Sequence, residues 1–70
     1  MLTILTKEII TGRVIESLQY RFISDSDKEK FIKNETSKRG FTYKQVNENT
    51  YVAFSDDHTL SKIMKIVLYK

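Results

Sequence analysis

The segment Leu60-Ser61-Lys62-Ile63-Met64-Lys65-Ile66-Val67-Leu68-Tyr69-Lys70 decides between two folds for this 70-residue chain. Leu60, Ile63, Met64, Val67 and Leu68 recur at i, i+3, i+4, i+7 and i+8, the spacing of a helix with one apolar stripe. Asp57 or Thr59 just upstream supplies an N-cap oxygen for an orphan backbone N–H. The rival reading makes Lys62 to Lys70 a final strand. The five positional matches predict the helix. The expected fold is then α+β, ordered ββαββα: a four-stranded antiparallel sheet with two helices on one face. The strand reading would add a fifth strand instead.

The middle of the chain carries the best-specified element. Ser26 and Glu29 are spaced as a capping box, and Gly40 falls where a left-handed residue would end a helix. Asp27 and Glu29 complement the positive end of that helix, and Lys38 and Arg39 its negative end. These signals predict a helix over 27–39. Its apolar residues are essentially Phe31 and Ile32, so it must rest on a sheet.

Upstream, residues 2–10 and 13–23 alternate β-branched and aromatic residues with polar ones, and Thr11-Gly12 can turn between them. A two-residue turn would pair Ile9 with Val14, Lys7 with Glu16, Leu5 with Leu18 and Thr3 with Tyr20. Downstream, FTYKQV (41–46) and TYVAFS (50–55) form a second expected hairpin. Pairing Val46 with Tyr51 would place Phe41, Tyr43, Val52 and Phe54 on an apolar face, with Thr42, Lys44 and Tyr51 on a mixed one.

Arg39, Gly40, Phe41 and Tyr43 resemble the start of the base-stacking strand of RNA-recognition domains. Thr42, Lys44 and Val46 depart from that pattern, and the likeness spans eight residues. The same letters are accounted for by a helix stop followed by a core strand.

Composition narrows the function classes. Seventy residues make one small domain near the lower limit for folding without staples. There is no Cys, which removes disulfides and thiolate metal sites. The single His is His58, and no Gly-rich phosphate loop is present. Asp56-Asp57-His58 reads as a helix start rather than a metal cluster, and Ser24-Asp25-Ser26-Asp27 reads as a cap. The expectation is a non-enzyme with no cofactor and no metal.

The net charge of +3 is spread along the chain. The longest uninterrupted apolar run, Ile66 to Tyr69, is far short of the ~20 residues that span a bilayer. No targeting segment precedes the first strand. Cytoplasmic residence is therefore expected. Phe, Tyr, Met, Ile, Asn and Lys total 30 residues against 6 for Gly, Ala, Arg and Pro. That bias follows AT-rich coding DNA, and with the short Met-initiated chain it suggests a phage or mobile-element product.

Two interaction surfaces are expected. In the first hairpin Ile4, Ile10, Ile15, Phe22 and Ile23 fall on the face opposite Leu5, Ile9, Val14, Leu18 and Tyr20. Such a surplus of apolar residues marks a protein-binding surface, here formed by Ile4, Ile10, Ile15 and Phe22 and ringed by Lys7, Arg13 and Arg21. It would bind and modulate or inhibit a larger host protein, or mediate dimerisation. The alternative is a nucleic-acid-binding regulator that uses Arg21, Lys38, Arg39, Lys44 and Tyr51 on the exposed sheet face.

Overall fold

A computed structural model describes residues 1–67. The elements follow in the order β1 (Leu2–Glu8), β2 (Val14–Tyr20), α1 (Asp25–Thr36), β3 (Phe41–Asn47), β4 (Thr50–Ser55) and β5 (Leu60–Ile66). The five strands form one antiparallel sheet in the order β2-β1-β5-β4-β3. The α+β class stands, but among the described residues the expected four strands and two helices become five strands and one helix.

The segment over Leu60–Ile66 is the central strand, not a helix. A strand paired on both edges in a sheet can carry apolar residues on both faces, which blurs its period of two. Leu60, Met64 and Ile66 face the helix side, with Lys62 among them, while Ile63 lies on the other side. Read without pairing, that two-sided set mimics one helical stripe. Leu68, the last of the five matching positions, lies outside the described residues. Asp57 still accepts a backbone amide, but in a turn, and Thr59 supplies that amide. The Thr59 amide donates to Asp57 Oδ1 at 3.1 Å, and the hydroxyls of Ser55 and Thr59 each donate to the same oxygen at 2.7 Å. Caps and turns use the same side-chain chemistry, so the signal was real and its context different.

Both hairpins form in register patterns that differ from expectation. Leu2 pairs with Tyr20, Ile4 with Leu18 and Thr6 with Glu16, but Lys7 pairs with Val14, leaving Ile15 without a partner. In the second hairpin Tyr43 pairs with Ala53 and Gln45 with Tyr51, but Asn47 pairs with Thr50, leaving Val46 without a partner. Each extra residue is a bulge, and a one-residue offset exchanges the two faces of a strand. Val52 and Phe54 thus lie opposite the side that holds Phe41 and Tyr43, and Tyr51 joins the core.

The helix runs over Asp25–Thr36, earlier than expected at both ends. Ser24, not Ser26, is the N-cap, and its Oγ accepts the Asp27 amide at 3.1 Å. Asp27 then accepts the Tyr20 hydroxyl at 2.8 Å and the Ile23 amide at 3.1 Å, which fixes the loop to the end of β2. Ser37 closes the other end with its hydroxyl on the Lys33 carbonyl, and Gly40, at φ +93°, shapes the turn into β3.

The helix joins β2 at one edge of the sheet to β3 at the other. Twelve helical residues span about 18 Å, close to the ~19 Å across five strands. It packs on a core of Leu2, Ile4, Met64 and Ile66, with Tyr20, Phe22, Phe31, Ile32, Tyr43 and Tyr51 around it. Phe31 stacks on Tyr20 with ring centroids 4.2 Å apart.

One helix residue is buried, and it is a carboxylate. Glu35 is 5% exposed. It accepts the Tyr43 hydroxyl at 2.9 Å, and Lys38 and Lys62 place their ammonium groups 2.9 and 3.7 Å from its oxygens. Lys62 also lies 4.3 Å from the centre of the Phe41 ring, a cation–π contact. Burial alone pushes the Glu35 carboxyl up. The hydrogen bonds from Lys38 and Tyr43 and the charges of Lys38 and Lys62 together outweigh it and hold the group below its ordinary value. Burial first, then the Glu35 hydrogen bond, pushes the Tyr43 hydroxyl well up.

A carboxylate whose folded pKa is depressed stabilises the fold above its unfolded pKa, and that stability fades as pH falls through the folded value. The ordinary value for Glu35 is 4.5, so the urea midpoint is expected to fall as pH drops below it. Glu35→Gln should cost about 1–3 kcal/mol at neutral pH and flatten the acid decline. An unchanged acid slope in urea titrations of the variant would show that Glu35 plays no such part.

Candidate functional site

The helix covers one face of the sheet, and among the described residues no element covers the other. The strand pairings define what this open face presents. One row runs Ser17, Leu5, Ile63, Val52, Lys44 across all five strands. Beside it run Val14, Lys7, Ser61, Phe54, Thr42 on one flank and Gln19, Thr3, Lys65, Thr50 on the other. The centre is aliphatic, with Phe54 half exposed at 51%.

Three cations bound this centre: Lys7 on one flank, Lys65 on the other and Lys44 at the end of the row. None of them forms an ion pair among the described residues, whereas Lys28, Lys38 and Lys62 each have a carboxylate partner. Two shallow concavities shape the face. One, of about 290 Å³, is lined by Thr3, Leu5, Lys7, Ile63 and Lys65. The other, of about 500 Å³, is lined by Thr42, Lys44, Val52, Phe54, Ser55, Asp56 and His58.

The β4–β5 turn closes the larger concavity. His58 sits there at φ +60°, in the left-handed region that residues other than Gly rarely adopt. The turn holds it in place through Asp57, and hydrogen bonds from Ser55 and Thr59 depress the Asp57 carboxyl to about 2. His58 donates its amide to the Ser55 carbonyl, and Asp56 donates its own to that of Gly40, at 2.9 Å each. Turn, β3 start and concavity are thus tied together.

The residues singled out from the sequence go to several places. Ile4 is in the core, and Phe22 packs against it. Ile10 is 93% exposed at the first hairpin turn, Ile23 is exposed before the helix and Ile15 sits on the bulge. Arg13 is paired with Glu8, and Arg21 is exposed beyond β2. The apolar surplus of the first hairpin therefore does not form one surface. Of the alternative set, Tyr51 lies in the core, Lys38 serves Glu35 and Arg39 is exposed in the turn before β3. From both sets, only Lys7 and Lys44 share the open face.

The open-face residues missed in the sequence are Leu5, Val52, Phe54, Ile63 and Lys65. Registers without the bulges place Leu5 beside Leu18, and Val52 and Phe54 on the face of Phe41 and Tyr43, while the helical spacing places Ile63 and Lys65 in a helix. Comparison with known proteins finds no matching family model, no matching curated protein and no matching solved structure.

The two faces predict opposite responses to truncation. Met64→Ala, at a fully buried position, should cost about 2–5 kcal/mol. Phe54→Ser should stay within about 1 kcal/mol in the same urea titration, as surface changes usually do. A larger loss at Phe54 than at Met64 would mean that the faces are assigned the wrong way round.

Proposed function

We propose that this chain is a non-catalytic binding protein that occupies a surface of a larger protein partner and so modulates or inhibits it. The observation that carries this reading is the open face: an aliphatic centre of Leu5, Ile63 and Val52 beside Phe54, bounded by three lysines that have no ion-pair partner among the described residues. An uncovered apolar patch with a polar margin is the ordinary form of a protein-binding surface. The candidate surface thus moves from the first hairpin alone to a face shared by four strands.

Self-association through the same face is disfavoured, because two copies would bring Lys7, Lys44 and Lys65 against their own counterparts. A dimer is better served by the first hairpin turn, where Ile9, Ile10, Val14 and Ile15 are all exposed. The coding bias noted above supports a phage or mobile-element origin, with the host cytoplasm as the setting.

A nucleic-acid regulator is the second reading, favoured by the same lysines. Unspecific single-strand binders stack successive bases on aromatic rings. Among the described residues this face offers one ring, Phe54, because Tyr20, Tyr43 and Tyr51 are on the helix side.

The test is affinity capture from the native host with nuclease added. Lys7→Glu/Lys44→Glu/Lys65→Glu is expected to keep the circular dichroism spectrum and lose the captured protein, while Arg21→Glu/Arg39→Glu keeps it. Equal capture by both variants would contradict the assignment. Capture that vanishes with nuclease would favour the nucleic-acid reading.

A further inference from the structure

We infer that the open face receives an acidic amphipathic helix from the partner, as a second helical layer supplied in trans. This rests on the protein-binding reading and names the partner's chemistry. Three observations carry it.

The first is the direction of the apolar row. Leu5, Ile63 and Val52 are adjacent across β1, β5 and β4. Two inter-strand steps cover about 10 Å, and seven helical residues rise about 10.5 Å. Apolar residues at i, i+4 and i+7 of a helix lying along the row therefore meet Leu5, Ile63 and Val52 in turn. Phe54, two residues along β4 from Val52 and diagonal to Ile63, borders the adjoining groove.

The second is the backbone. The three strands beneath the row each have hydrogen-bonded neighbours on both sides. An extended segment laid on that face would find no ladder to join and would bury its own amides unsatisfied. A helix satisfies its backbone internally and arrives with only side chains to match.

The third is charge. Lys7 and Lys65 stand on opposite flanks of the row and Lys44 at its end, all without a carboxylate partner among the described residues. Carboxylates on both borders of an apolar helical stripe would meet lysines on both sides. Asp56, beside His58 in the larger concavity, is the one carboxylate lining either concavity. It disfavours an acidic group at that corner and so sets where the helix must stop.

The probe is a synthetic peptide of about 15 residues, long enough to hold a helix when docked, with Leu at i, i+3, i+4, i+7 and i+11 and Glu bordering them. Its twin replaces every Glu with Lys, and a third probe is a single-stranded oligothymidylate. Amide resonances of the full chain are followed during each titration, together with peptide helicity. The Glu peptide is expected to become helical and to shift Leu5, Lys7, Lys44, Val52, Ile63 and Lys65 saturably, while the Lys twin does not. Lys7→Glu/Lys65→Glu should weaken the Glu peptide about tenfold or more and admit the Lys twin.

Absence of binding by the Glu peptide, shifts confined to β2 or α1, or tighter binding of the oligonucleotide on this face would overturn the inference. If the Glu peptide fails while the triple lysine variant still loses its captured protein, the helix is wrong and the protein-binding reading stands. If both fail, both are wrong.

Discussion

Among the described residues the hairpins β1–β2 and β3–β4 meet only across β5, which pairs with β1 along one edge and with β4 along the other. A lone two-stranded hairpin is marginal in water, and a sheet gains independent stability when three or more strands share an apolar face. Inserting β5 converts two such hairpins into one five-stranded sheet. It also places Met64 and Ile66 beside Leu2 and Ile4, which together make the core on the helix side. The N- and C-terminal ends are joined by the same pairing: Met1 and Val67 exchange hydrogen bonds of 2.8 and 2.9 Å. Contacts this distant in sequence carry a high loop-closure cost and form late in folding two-state domains.

The helix adds the second layer, and its docking rests on polar as well as apolar contacts. Phe31 and Ile32 reach the core, but the residue one turn further along the same stripe is Glu35. Its partners come from three elements: Lys38 after the helix, Tyr43 on β3 and Lys62 on β5. Ion pairs removed from water contribute little net stability, yet they penalise arrangements that leave a charge unmatched. Glu35 thus fixes where along the sheet the helix sits, while Tyr20 stacks on Phe31 at mid-helix and donates its hydroxyl to Asp27 near the N-terminal end.

Much of this was legible in the sequence. Both early strands, the helix, the second hairpin and the turns at Gly12 and Gly40 follow from local chemistry, and both glycines adopt positive φ. Local signals could not fix what depends on partners. Ile15 and Val46 look like ordinary strand residues, and only pairing shows that each is extra. Glu35 looks like one more solvated acid in a charged helix, until its i, i+3, i+4, i+7 relation to Lys28, Phe31 and Ile32 is set against the sheet. The segment around Met64 has a helical spacing because it is apolar on both sides of a strand. The candidate residues depend on the same face assignments: Ile4, Phe22 and Tyr51 go to the helix side, and Lys7 and Lys44 lie on the open face.

The open face depends on the same strand. By lying between β1 and β4, β5 supplies Ile63 to join Leu5 and Val52 into one row and Lys65 to complete its charged margin. A helical segment there would leave neither the row nor the face. The most direct measurement is the set of cross-strand proton–proton contacts at Ile63 in the nuclear magnetic resonance spectrum. The predicted result is contacts from Ile63 to both Leu5 and Val52, with neighbouring cross-strand contacts linking Met64 to Ile4 and to Tyr51. Sequential i, i+3 helical contacts through residues 60–67, with none to β1, would contradict the account.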